Sequence, residues 1–262
     1  MSTSANELRI MTYNVRVECD LSPNSWEERR LRIQKLITEQ APDIIGTQEG
    51  MFGQVKDLQA LLPDYEWIGE GRDGGSQGEF MAIFYNRSRL ELTEYGHFWL
   101  SDTPMMIGSK TWGNHHARMA TWGRFEDRQS GKAFYLLNTH LDHQSEEARG
   151  KGARLLAAEA DRFASGCPVI LTGDFNAGED SEPYRYLTGE GGFQDTWFEA
   201  ASRDNETLGS FTGYTRPDGG QHRIDWILTK GEAQIIKAQI INTLIEGQFP
   251  SDHYPVTAIL YI

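Results

Sequence analysis

At 262 residues, with 38 acidic side chains against 25 basic ones and a formal charge of −13, the chain is long enough for a sizeable core. It lacks the cationic excess with which proteins neutralise the phosphates of duplex nucleic acid, and this weighs against a duplex nuclease. Two cysteines, Cys19 and Cys167, are too few for a disulfide framework, and no apolar run approaches the roughly 18 residues of a membrane-spanning helix. The expectation is a cytoplasmic protein folded as one domain over 1–262, residues 1–7 flexible, with an already removed signal peptide as the alternative.

Runs rich in Ile, Val, Phe, Tyr and Trp, separated by Gly, Asp and Asn, predict strands in chain order over 8–15, 43–48, 80–85, 90–100, 118–126, 133–141, 168–174, 224–229, 233–241 and 255–261. Three helices interrupt them. The first carries an apolar stripe of Trp26, Ile33, Leu36 and Ile37, with Arg29, Arg30, Arg32 and Lys35 read as its solvated face. The second runs from Met51 to Leu62, and the third from Glu146 to Phe163 with Leu155, Leu156 and Phe163 turned to a sheet. This mixture predicts two packed β-sheets with helices outside.

Polar groups of one chemical type recur where these strands end. Asn14 closes Thr12-Tyr13-Asn14, Glu49 closes Thr47-Gln48-Glu49, and His140 closes Asn138-Thr139-His140. The run Val169-Ile170-Leu171 leads into Gly173-Asp174-Phe175-Asn176, whose carboxylate and amide stand two residues apart and can face one substrate. Arg223-Ile224-Asp225-Trp226 and Ser251-Asp252-His253 add two carboxylates and an imidazole. An acid that ends an apolar strand needs a partner, and among oxygen-rich neighbours a hard divalent cation supplies it. An oxygen-rich metal site with histidine assistance is equipment for breaking a phosphate ester. His115, His116 and His143 have no zinc-like spacing and are read as loop or substrate rim. Trp112, Phe211 and Tyr214 either stack on a ligand or fill core.

The ordered set, from Asn14 to His253, resembles the endonuclease/exonuclease/phosphatase (DNase I-like) superfamily. The segment Phe98-Trp99-Leu100-Ser101-Asp102-Thr103-Pro104, followed by Arg118-Met119-Ala120-Thr121-Trp122, is similar to that of bacterial members near the deadenylase-like branch. The resemblance implies an α/β fold, a four-layer α/β/β/α sandwich of two mostly antiparallel sheets flanked by helices. It implies Mg2+ or Mn2+ held by Glu49, Asn14 and Asp252. Asp174 then positions or deprotonates the attacking water, Asn176 donates to a phosphate oxygen, and Asp225 fixes the tautomer of His253 and raises its pKa. His140 protonates the leaving oxygen with Glu79 orienting it, while Arg118 contacts phosphate and Asn138, at the same strand end, belongs to the substrate-binding set. The expected activity is hydrolysis of a phosphate mono- or diester by in-line attack of water, with no covalent enzyme intermediate. The acidic charge favours a small phosphorylated molecule as substrate. A nuclease for single-stranded RNA or DNA is the alternative and a non-enzymatic binding module a remote one; no protein partner is implied.

Overall fold

The computed structural model describes residues 7–163 and 166–262; of the N-terminal stretch expected to be flexible, all but Glu7 lies outside the described residues. In chain order the elements are β1 (Leu8–Asn14), α1 (Trp26–Gln40), β2 (Ile44–Gln48), α2 (Phe52–Leu61), β3 (Tyr65–Ile68), β4 (Ile83–Asn86), β5 (Leu90–Trp99), β6 (Met119–Asp127) and β7 (Ala133–His140). There follow α3 (Glu146–Asp161), β8 (Val169–Asp174), α4 (Glu182–Thr188), β9 (Gln194–Asp195), α5 (Thr196–Glu199), β10 (Ser202–Asp204), β11 (Asp225–Lys230), β12 (Gln234–Ile240) and β13 (Val256–Tyr261). The strand expected from Phe80 begins only at Ile83, because Phe80 is spent on isolated bridges to Gly50 and Gly71. Five short pieces, β3, α4, β9, α5 and β10, carry too few periodic residues to be read from sequence.

One sheet has the order β10-β12-β13-β1-β2-β4-β3 and the other β5-β6-β7-β8-β11-β9. Among the described pairings β1–β2, β7–β8 and β10–β12 are parallel and the rest antiparallel. The sheets face each other across a core of Ile10, Ile44, Ile83, Leu136, Ile170 and Ile227. Behind the first sheet, Ile33, Leu36 and Ile37 of α1 and Val55 and Leu58 of α2 bury against Met11, Tyr13 and Ile45. Behind the second, Ala153, Leu156 and Ala157 of α3 meet Leu137, Leu171 and Trp226. Four layers result, as the resemblance implied.

The sheets are also joined by polar groups. Asn138 Nδ2 donates to the carbonyls of Thr47 (2.7 Å) and Ala82 (3.0 Å), and its Oδ1 accepts from Gln48 Nε2 (2.7 Å) and Thr172 Oγ1. Gly46 lets this happen: a Cβ there would lie 2.3 Å from Thr172 Oγ1 and 2.5 Å from Asn138 Oδ1. Asn138 is fully buried and its hydrogen-bonding capacity is used up between the sheets, so the expectation that it meets substrate is corrected.

Arg29 is a second correction. It belongs to the stripe of α1, four residues before Ile33 and three after Trp26, and is completely buried. Its guanidinium donates to the carbonyls of Asn24, Val15, Arg16 and Val17, tying down the segment that follows β1. Arg29→Met is expected to lower unfolding free energy by about 2–4 kcal/mol, since each orphaned buried acceptor costs about 1–3 kcal/mol. A urea midpoint equal to that of the unaltered protein would contradict this.

Candidate active site

Four adjacent strands of the second sheet end at one rim and present a row of functional groups. Register pairs Ala120 with Thr139, His140 with Asp174, and Asp174 with Asp225. Arg118, immediately before β6, therefore stands beside the end of β7, and the row reads Arg118, His140, Asp174, Asp225. The first sheet supplies the facing rim: Asn14 pairs with Gln48, Glu49 follows, and Ser251, Asp252 and His253 precede β13. Ser251 Oγ donates to the Asn14 carbonyl at 2.7 Å, which locks the last motif onto the first.

Three non-glycine residues here adopt left-handed backbone: Arg16 (φ 59°), Glu49 (φ 66°) and Asn176 (φ 49°). Such conformations cost of the order of 1–3 kcal/mol each and persist where surrounding contacts over-determine them. The turn after Asp174 is thus a tight left-handed one. It is held by the Asn176 N–H donating to Asp174 Oδ1 at 2.9 Å.

Asn14 Nδ2 donates to Glu49 Oε1 at 2.9 Å and Asp174 Oδ2 at 3.0 Å. Its amide oxygen, the atom a cation would take, accepts the Arg16 N–H at 3.0 Å. Burial pushes the Glu49 carboxyl up, but hydrogen bonds from Asn14 and Val17 and the charges of His253 and Arg16 outweigh it and hold the group below its ordinary value. Asp252 is raised, by burial first. Arg16 lies 3.8 Å from Glu49 and 3.6 Å from Asp252, so the two carboxylates already share one cation.

Asp174 is buried, and burial together with repulsion from Asp225 lifts its carboxyl to about 7, against the opposing pull of His253. His253 Nδ1 lies 2.9 Å from Asp225 Oδ2, and Nε2 3.7 Å from Asp174 Oδ2. Burial alone would depress this imidazole, but Asp225 and Asp174 outweigh it and push its pKa well above the usual histidine value. His140 is driven the other way. Burial, then the charges of Arg118, His253 and Arg72, hold it well below. Hydrogen bonding agrees: Asn176 Nδ2 donates to the Leu141 carbonyl at 3.0 Å, which fixes the amide, and the same nitrogen meets His140 Nε2 at 2.9 Å. His140 Nε2 is then an acceptor, and the ring is neutral with its proton on Nδ1, 4.0 Å from Glu79 Oε2. The surroundings thus favour the charged form at His253 and the neutral form at His140, whereas the expectation gave His140 the proton for the leaving group.

Glu79 is gripped by Arg72 Nη1 at 2.6 Å. Arg118 faces Asp142 Oδ2 at 3.5 Å and His143 Nδ1 at 2.9 Å. Of these side chains, all except Asn14, Asn138, Asp142, Asp225 and Ser251 line one cavity of about 340 Å³, which also takes in His116, Phe211 and Ile224. Arg16 and Arg72 were not singled out in sequence: the first sits two residues after a functional asparagine, the second inside a Gly-rich turn, and neither position marks a site. Phe211 packs on the His253 ring at 5.0 Å. Tyr214 donates instead to Asp20 (3.2 Å), and Trp112 is buried against α3.

The donor set suits a hard divalent ion. Glu49, His140 and Asp174 offer ligand atoms within 4.8 Å of one another, as do Asp174, Asp225 and His253, and no thiolate stands among them. Among the described residues no helix is long and apolar enough to cross a membrane.

Residues 11–253 match the family model described as Endonuclease/Exonuclease/phosphatase family. A mannosyl-6-phosphatase of Bacteroides thetaiotaomicron is 31% identical, with a TM-score of 0.91 over 97% of this chain and 100% of that one. An endonuclease/exonuclease/phosphatase from Bacteroides vulgatus is 33% identical, with a TM-score of 0.91 over 98% and 99% of the two chains. The nocturnin of Drosophila melanogaster is 30% identical over 183 residues, 64% of this chain. The chain spans 26% of that relative's length and 59% of a mimivirus relative's.

Proposed function

This chain belongs to the endonuclease/exonuclease/phosphatase family of phosphoester-hydrolysing enzymes, and on that premise we propose that it hydrolyses a phosphate ester of a small molecule with the help of Mg2+ or Mn2+. The observation that carries the reading is the acid and histidine cluster lining a cavity of only about 340 Å³, the size of a small-ligand site. The formal charge of −13 supports it against an extended nucleic acid.

Glu49 and Asp252, with Asn14 beside them, would hold the ion, in place of the charge Arg16 now gives those carboxylates. Bound there, it would polarise a phosphoryl oxygen and offset the charge that develops on it. Asp174, poised near neutrality, takes the proton of the attacking water. To donate to a phosphoryl oxygen Asn176 gives up its hydrogen bond to neutral His140, since its other amide hydrogen is held by the Leu141 carbonyl. His253, kept cationic by Asp225, faces the developing charge and is the group with a proton to give the leaving oxygen. Glu79 positions His140 through the Nδ1 side, and Arg118 contacts phosphate.

The test is a panel of mono- and diesters, sugar phosphates, short RNA and single-stranded DNA, assayed with either metal. Excess chelator is expected to abolish hydrolysis and either ion to restore it, and Glu49→Gln to raise the metal concentration for half-activity; undiminished rates in chelator would remove the mechanism. On the best small ester, kcat/KM is expected to fall only weakly between about 50 and 200 mM salt, a range that costs a protein with 6–10 phosphate contacts about 10³-fold or more. Efficient, steeply salt-sensitive cleavage of RNA would favour the single-strand nuclease instead.

A further inference from the structure

We infer that Arg118, positioned by Asp142 and His143, makes this site select phosphomonoesters by taking the third terminal oxygen that a diester lacks. The inference rests on the phosphoesterase reading and names its substrate class.

Arg118 is placed by the sheet one strand from His140, and neighbouring strands are about 4.8 Å apart. A phosphate held against Asn176 and His140 is therefore within its reach. The residue is 4% exposed, yet it lines the same cavity as Glu49 and Asp174.

Its protein partners leave the guanidinium unspent. Asp142 approaches Nε only to 3.5 Å, since its Oδ1 accepts the N–H groups of Gln144 (2.9 Å) and Ser145 (2.7 Å) at the start of α3. Nη2 meets His143 Nδ1 at 2.9 Å. A guanidinium only donates, so that nitrogen accepts and His143 is neutral, its remaining proton on Nε2. Nη1 is buried without a hydrogen-bond partner. Arg72 differs, because Glu79 meets its charge directly at 2.6 Å. The His116 ring stacks on His143, with centroids 6.4 Å apart and planes at 23°, and closes the wall behind the pair.

A buried guanidinium with an unfilled donor is costly unless a ligand completes it. A phosphomonoester near neutral pH carries almost two negative charges and three terminal oxygens. One oxygen would meet the ion that Glu49 and Asp252 hold, one faces Asn176 and His253, and Arg118 takes the third. In a diester that third place is an ester group with a carbon substituent, which would desolvate the guanidinium and give nothing back.

The experiment compares p-nitrophenyl phosphate with methyl p-nitrophenyl phosphate, which share a leaving group, in Mg2+ or Mn2+. The unaltered protein is expected to favour the monoester in kcat/KM. Arg118→Gln is expected to lose about 10²–10³-fold on the monoester, the scale of one transition-state donor, and less than about fivefold on the diester. His143→Ala should narrow the same ratio by a smaller factor, a change in selectivity that general loosening of the fold would not produce. Orthophosphate binding, followed by calorimetry, should weaken in Arg118→Gln while dimethyl phosphate binding does not. Equal losses on both esters, or a diester preference in the unaltered protein, would overturn the inference. Should Arg118→Gln not fold, the unaltered protein's ester ratio and His143→Ala decide it. If neither ester is hydrolysed, the phosphoesterase reading fails, and orthophosphate binding to the His143→Ala and unaltered proteins still judges the subsite.

Discussion

Asp174→Asn is expected to lower kcat by about 10²–10⁴, the range spanned by general acid–base catalysis and equal to about 3–5.5 kcal/mol of barrier. The side chain keeps its shape but loses the lone pair that would take a proton from water. Its amide nitrogen would also face the Asn14 amide nitrogen, now 3.0 Å from Asp174 Oδ2, so two donors would meet where a donor and an acceptor stand. Stability is expected to move the other way. Asp174 and Asp225 are buried and repel each other, repulsion that contributes to lifting the Asp174 carboxyl to about 7. Neutralising one relieves it, the usual exchange of activity against stability at a strained site. Single-turnover rates and thermal unfolding on the same sample check both halves. A variant that keeps kcat within tenfold of the unaltered protein would remove Asp174 from the proposed base role.

Much of this site is legible in the chain because the fold collects strand ends. Asn14, Glu49, His140, Asp174, Asp225 and His253 each follow or open an apolar run, and strands that run into one rim bring such positions together whatever lies between them. What sequence does not carry is which side chains are spent on structure. Asn138 is two residues from His140 and on the same face of β7, but it lies one step in from the strand end, between the sheets, where Gly46 leaves room for its amide. Arg29 shares a helix with Arg30, Arg32 and Lys35. Only its position in the stripe of Trp26 and Ile33 separates it from that solvated face, and a periodicity that counts apolar residues passes over it. The protonation states were equally hidden. His140 and His253 look alike in the chain. Burial beside Arg118 and Arg72 makes the first a weak base, and contact with Asp225 and Asp174 makes the second a strong one.

The pairing of His253 with Asp225 is open to a double-mutant cycle, and its expected effect is the second largest. His253→Ala is expected to reduce kcat by about 10²–10³, the loss typical of one donor aimed at developing charge. Asp225→Asn should cost about 10²-fold on the same scale. It keeps a hydrogen-bond acceptor beside Nδ1, 2.9 Å away, but removes the strongest of the charges that raise the imidazole's pKa. Asp225 meets no group in the cavity except through His253 and through its repulsion of Asp174, so it acts by way of the imidazole. Once His253 is gone, Asp225→Asn no longer acts through an imidazole and changes only its repulsion of Asp174. The double variant is then expected to lie near the His253→Ala rate, at about 10³ below the unaltered protein rather than 10⁴–10⁵. The alkaline limb of the profile adds a second readout: in Asp225→Asn the pH above which His253 loses its proton should move down, since that carboxylate raises it. Independent losses that multiply, or an alkaline limb that stays in place, would show that the two residues do not work as a pair.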